Sequence, residues 1–231
     1  MTDGWHPQRL AHPWFARVAD LVIRLADHRG WPTIADLNQL FGPELGRAGV
    51  ALVESTKSKR SRSKRPIDPA ALYEVRIASY GEIPTRPRNA HDLLNTIVWA
   101  AFPQSKLALS RVLADIQRQR LSGRDRLPPT RTPEHDRIAL VDEGGLVRVG
   151  DATWIFGHAI YEHAYAGQLE VRGAAIDLDI PGIEALVPIA ARAAIDRVLA
   201  SADLARIVRT GPGIRVDRPS PNTTHRTLPR L

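Results

Sequence analysis

Three prolines set the frame of the most informative stretch of this chain, residues 84–106, PTRPRNAHDLLNTIVWAAFPQSK. Pro84 and Pro87 hold the residues before them extended, because the proline ring crowds the α region of its predecessor. Asn89 is then a good helix N-cap, with Asp92 at the third helical position like the acidic member of a capping box. Leu93, Leu94, Ile97, Val98 and Ala101 follow at three- and four-residue spacing, which predicts one buried face. Pro103 lacks an amide proton and clashes with the carbonyl four residues back, so the helix ends or kinks there. Proline also suits the first turn of a second helix. That helix is expected over 104–121, with Leu109, Val112, Leu113 and Ile116 inward.

Around this pair the chain reads as short elements. A helix is predicted over 13–28, with Phe15, Val18, Leu21, Val22 and Leu25 on one stripe, and a second over 34–41, capped by Thr33 and stopped by Gly42-Pro43. Residues 50–54 and 72–78 have the look of strands, the latter through the alternation of LYEVRIA. Residues 122–133 are a Gly-, Pro- and Arg-rich connector. RIALVDEGGLVRV, 137–149, reads as a hairpin turning at Gly-Gly, with Asp142 and Glu143 at the bend. A helix is expected over 154–166, its stripe formed by Trp154, His158, Tyr161 and Tyr165, with Gly157 inside it as a sign of close packing. One or two strands within 169–178 and a last helix over 189–202, with Ala191, Ile195, Val198 and Leu199 inward, complete the pattern.

These elements predict an α+β fold with a helical majority and a small antiparallel sheet. The expected organisation is a single domain over 1–210, a basic flexible loop within it at 54–68, and a Pro/Arg-rich, disordered tail at 211–231.

Charge and composition narrow the function classes. There is no cysteine, so disulfides, thiolate chemistry and Cys-based zinc sites are excluded, and a cytoplasmic location is expected. No apolar run approaches the ~18 residues of a membrane span, so no membrane partner is expected. The net charge of +7 is concentrated in the tail and in one run, Lys57, Lys59, Arg60, Arg62, Lys64 and Arg65. That run is a solvated loop on the simplest reading. Its alternative role is weak, nonspecific contact with nucleic acid or another polyanion.

The candidate site comes from polar residues at helical spacing. His91, Asn95 and Trp99 share a face, as do His158 and Glu162. The N-terminal position of His91 in its helix and the aromatic surroundings of His158 predict neutral imidazoles, as a divalent metal or general base requires. His91, Asp92, Asn95, His158, Glu162, Asp142 and Glu143 are therefore the candidate catalytic residues, and Arg86 and Lys106 the candidates for binding a small anionic substrate. The bland alternatives are capping by Asp92, turn chemistry at Asp142-Glu143, core packing of His158, and ion pairing of Arg86 and Lys106 with these acids. Trp99, Phe102 and Trp154 read as core. No HExxH, phosphate loop or nucleophile elbow is present. The reading reached is an enzyme, a hydrolase, with a His/carboxylate site and a divalent metal as candidate cofactor. The alternatives are a polyanion-binding module, or a structural domain whose polar cluster fixes the fold.

The run YEVRIASYGEIPTRPRNAHDLLNTIVWAAFPQSK, followed by HDRIALVDEGG and FGHAIYE, resembles the bacterial domain of unknown function 3025 family over roughly residues 50–200. Tyr73, Arg86, His91, Asp92, Asn95, Trp99, Pro103 and Lys106 fit its first block, Asp142, Glu143 and Gly145 its second, and Gly157, His158 and Glu162 its third. Ala90 and Ser110 depart from the pattern. The resemblance implies the fold boundaries and the polar cluster, and no activity.

Overall fold

The structure is a computed structural model that describes residues 4–55, 66–168, 170–202 and 209–215. It is α+β with a helical majority. The helices are α1 (Ala19–Val22), α2 (Ile34–Leu45), α3 (Tyr73–Tyr80), α4 (Ala90–Ala101), α5 (Pro103–Leu121), α6 (Pro133–Gly144), α7 (His158–Tyr165) and α8 (Pro188–Ser201). The strands are β1 (Ala51–Glu54), β2 (Glu82–Thr85), β3 (Gly145–Val149), β4 (Ala152–Ile155), β5 (Arg172–Asp177) and β6 (Arg209–Arg215). They divide between two sheets, a parallel β1–β2 pair and a mixed sheet ordered β4-β3-β5-β6, instead of one antiparallel sheet. β3 pairs antiparallel with β4 and parallel with β5. Residues 211–215 of the expected tail thus belong to β6, while 216–231 and the basic run 57–65 lie outside the described residues.

The proline-framed helices stand as the sequence predicts. Asn89 Oδ1 accepts the Asp92 N–H at 3.1 Å, and Pro103 is the first residue of α5. The core runs from Leu10 to Leu199 and joins Phe15, Val18, Leu21 and Leu25 of the N-terminal segment with Leu94, Ile97 and Trp99 of α4. The first helical segment is less regular than expected: 3₁₀ turns at Pro13–Val18 and Ile23–Leu25 flank the short α1. Val112 and Val198, expected inward, lie at the surface.

Four expectations fail for identifiable physical reasons. α2 does not stop at Gly42-Pro43 but runs on to Leu45. The carbonyl that Pro43 deprives of a partner belongs to Gln39, which faces water, while the next turn buries Glu44 and Leu45. Residues 73–80 form α3, not a strand. A short apolar run fits both periods, and the deciding signal is Gly81, whose left-handed φ of 68° closes the helix through an N–H bond to the Ile77 carbonyl. Residues 137–144 belong to α6. Thr132 caps it, Pro133 opens it, Glu134 and Asp136 complement its first turn, and Ile138 and Val141 are buried three apart. The hairpin is instead β3–β4, turning at Gly150 and Asp151. Trp154 lies in β4, and α7 starts only at His158, so Trp154 and His158 do not share a helical stripe. Gly157 is the N-cap of α7 and not an interior residue.

Two carboxylates tie α8 to the rest. Asp196 accepts the Ser105 N–H at 2.8 Å, the Gln104 N–H at 3.2 Å and the Ser105 hydroxyl, and so caps α5 from across the core. Arg192, almost fully buried, donates two bonds of 2.6–2.7 Å to Asp20. Replacing Asp20 with Ala strands this buried guanidinium and is expected to cost about 3 kcal/mol in urea unfolding. Arg192→Ala is expected to cost less, because the Asp20 side chain keeps 28% of its surface exposed and can turn to water. Burial alone would raise the Asp20 carboxyl, but the Arg192 bond and charge outweigh it and hold it below its usual range. A depressed carboxyl stabilises above its unfolded pKa, about 3.9, and that contribution is lost as pH falls through the lower folded value. The gap between wild type and Asp20→Ala therefore narrows in acid.

Candidate functional site

Four helices bring their polar residues to one cavity of about 310 Å³. α4 supplies His91, Asp92 and Asn95, α6 supplies Asp142 and Glu143, α7 supplies His158, and α3 supplies Tyr73 and Glu74, with Arg86 following β2. The packing of α4 on α7 places the His91 and His158 rings edge to face, with centroids 4.6 Å apart. A second cavity, about 360 Å³, shares Glu74, Asp142 and Glu143 with the first and continues to His135, Asp136 and Arg131.

Each histidine is oriented by an acceptor behind it. The His91 Nδ1 lies 2.7 Å from Glu162 Oε1, one helix over. This bond raises the His91 pKa above the usual histidine value, outweighing partial burial. The helix-terminus argument for a neutral His91 is thereby overridden by a full charge at bonding distance. His158 is buried, and its Nδ1 lies 2.9 Å from the Asp142 carbonyl oxygen. A carbonyl can only accept, so Nδ1 carries the proton and Nε2 keeps the lone pair in the neutral ring. Burial, reinforced by the Lys106 charge, lowers His158 to about 4, so it is neutral near pH 7 as the sequence predicts. Its Nε2 is buried without a hydrogen-bond partner. Glu143 Oε2 stands 3.3 Å away but outside bonding geometry.

The two cations are committed to acids. Lys106 lies almost fully buried against Trp99 and is paired with Asp142. Burial alone would raise the Asp142 carboxyl, yet Lys106 and His158 hold it below its usual range. Arg86 grips Asp92 through Nε (2.9 Å) and Nη2 (2.6 Å), and its backbone N–H donates to the same carboxylate at 2.6 Å. Asp92 thus anchors Arg86 instead of completing a capping box. Glu143 is raised by burial of its inner part and by the charge of Asp142. Glu162 bonds His91 and is not among the residues that line this cavity.

Sequence reasoning missed Glu74. The strand assignment for 72–78 hid it, although Gly81 marks the helix that carries it. Its Oε2 is buried without a hydrogen-bond partner. Burial, and next the Asp142 charge, push the carboxyl from 4.5 to about 7, against the opposing pull of Lys106 and Ser110. Asn95 donates to the Tyr73 hydroxyl at 3.3 Å and holds α4 to α3 at the cavity wall. The expected nucleic-acid residues Lys57, Lys59, Arg60, Arg62, Lys64 and Arg65 lie outside the described residues. Among the described residues, no helix is long and apolar enough to cross a membrane.

No curated protein and no solved structure matches the chain. The stretch that holds Glu74, His91, Asp142 and Glu143, residues 61–153, matches the family model described as Protein of unknown function (DUF3025), the family that the sequence resembles.

Proposed function

We propose that the protein is a hydrolase acting in the cytoplasm on a small substrate with an anionic group. The observation that supports this most is the convergence of two oriented imidazoles on a cavity that also holds a carboxyl titrating near neutrality. Proton transfer in hydrolysis is fastest from a group whose pKa lies near the working pH. Glu74 has that property and opens on both cavities. In this reading His91 and His158 hold the reacting group, and Glu74 moves the proton. Arg86 keeps about a third of its side chain exposed (34%), and its Nη1 edge, which Asp92 does not use, meets the anionic substituent. A cytoplasmic setting agrees with a chain that has no cysteine.

The test is hydrolysis of chromogenic carboxylic esters, aryl phosphates and anilides by the purified chain. At least one class is expected to turn over, with a loss of ~100-fold or more in His91→Ala. His91 is half-buried, so this variant is expected to keep the wild-type circular dichroism spectrum. Turnover of no class, or equal rates in wild type and His91→Ala, would reject the hydrolase.

A further inference from the structure

We infer that His91, His158 and Glu162 form a binding site for one divalent transition-metal ion, with Glu143 beside it. The three residues can each offer a ligand atom within 4.8 Å of the other two. Imidazole nitrogen and carboxylate oxygen together suit zinc, iron and manganese, and a two-histidine, one-carboxylate set leaves positions open on the ion.

Three further observations converge on the same place. The first is the partnerless Nε2 of His158. A ring nitrogen buried without a hydrogen bond is costly, and here it faces the cavity with its tautomer already fixed by the Asp142 carbonyl. Metal-binding histidines are held in this way, through a bond from the other ring nitrogen to a carbonyl or carboxylate. The second is spacing. Two ligand atoms each ~2.1 Å from an ion in tetrahedral geometry lie about 3.4 Å apart. Glu143 Oε2 and His158 Nε2 are separated by 3.3 Å without the geometry of a hydrogen bond. The third is charge. Four acids line the cavity, Glu74, Asp92, Asp142 and Glu143, and the two cations, Arg86 and Lys106, are tied to Asp92 and Asp142. Glu162 is paired with His91, while Glu74 and Glu143 line the cavity with no lysine or arginine at ion-pair distance among the described residues. A dication supplies the missing positive charge.

Ion binding requires the His91–Glu162 hydrogen bond to open, the ion replacing the proton between Nδ1 and Oε1. Glu143 then stands at the rim of the remaining positions. This inference deepens the hydrolase reading and rests on it only for the use to which the ion is put.

The experiment is equilibrium binding of Zn²⁺ and of Co²⁺ to the full chain after chelator treatment, with the visible absorbance of Co²⁺ as a reporter of coordination. One ion per chain is expected, with affinity lower by ~100-fold or more in His91→Ala and in Glu162→Gln. Both residues are partly exposed, so both variants are expected to fold; His158→Asn, at the buried position, is the third variant. Less than one ion per chain in wild type, or affinity unchanged in His91→Ala and Glu162→Gln, would overturn the site. Hydrolysis is measured on the same samples. Stoichiometric binding without turnover leaves the metal site standing and removes the hydrolase. Full turnover in chelator-treated protein, with less than one ion bound per chain on titration, supports the hydrolase and overturns the metal site.

Discussion

Gly157→Ala is expected to lower stability by about 3 kcal/mol or more, a fall in melting temperature of roughly 6–12 °C for a chain of this size. A Cβ on Gly157 would lie 2.4 Å from the Glu143 oxygen and the Gly145 nitrogen and 2.5 Å from the Gly144 Cα. All three are backbone atoms at the junction of α6 and β3, so no side chain can swing aside. The Phe156 and Gly157 amides both bond the Gly145 carbonyl at 2.9 Å, which fixes the crossing. Pushing the chains apart breaks these bonds and moves His158 and Glu143, the residues on either side of the contact. Gly42→Ala is the control, since a Cβ there meets nothing within 4 Å and the residue lies inside α2. That substitution is expected to be neutral or to stabilise by up to about 1 kcal/mol. Thermal melts of the two variants that coincide would show that the crossing has room to spare.

Glu74→Gln is expected to stabilise the protein at pH 8 while removing activity. The folded carboxyl sits at about 7 against an ordinary 4.5, which corresponds to about 3 kcal/mol. The sign follows from which state binds the proton. Between about pH 4.5 and 7 the unfolded chain gives up the Glu74 proton while the folded chain keeps it, so stability falls as pH rises through this window. Above pH 7 the full penalty is present, and an uncharged amide escapes it. Urea unfolding should therefore place Glu74→Gln about 2–3 kcal/mol above wild type at pH 8 and within about 1 kcal/mol of it at pH 5. Hydrolysis should fall by ~100-fold or more, because the amide cannot exchange a proton. Equal stability of the two proteins at pH 8 would mean that the carboxyl is not held above its usual range.

What was legible in the sequence follows from which signals are local. The helix pair around Pro103 could be read because caps, prolines and apolar spacing all lie within a few turns and agree. The site histidines could be placed because residues four apart share a helical face whatever the tertiary structure. α3 and α6 were misread because their apolar residues are few, and two or three buried positions suit either period. Their helical nature is written in the flanks, at Gly81 and at Thr132-Pro133. Glu74 was lost with α3, since a residue on a misassigned element cannot be aimed. The charge state of His91 was not legible either. It depends on Glu162, 71 positions along, and no helix-terminus argument carries that information. For Lys106, a candidate substrate ligand, and Asp142, a candidate catalytic residue, the sequence leaves ion pairing as an alternative, and in space they are each other's partner.

The cap on α5 has a temporal side. Asp196 follows Ser105 by 91 residues, which at ribosomal speed is a delay of about 5–20 s. Until that carboxylate emerges, the Gln104 and Ser105 amides at the start of α5 have only water to bond. The nascent chain can thus carry both site histidines for seconds before α5 receives its cap. The cap on α5 therefore waits on α8, whose chain follows every residue that lines the cavity.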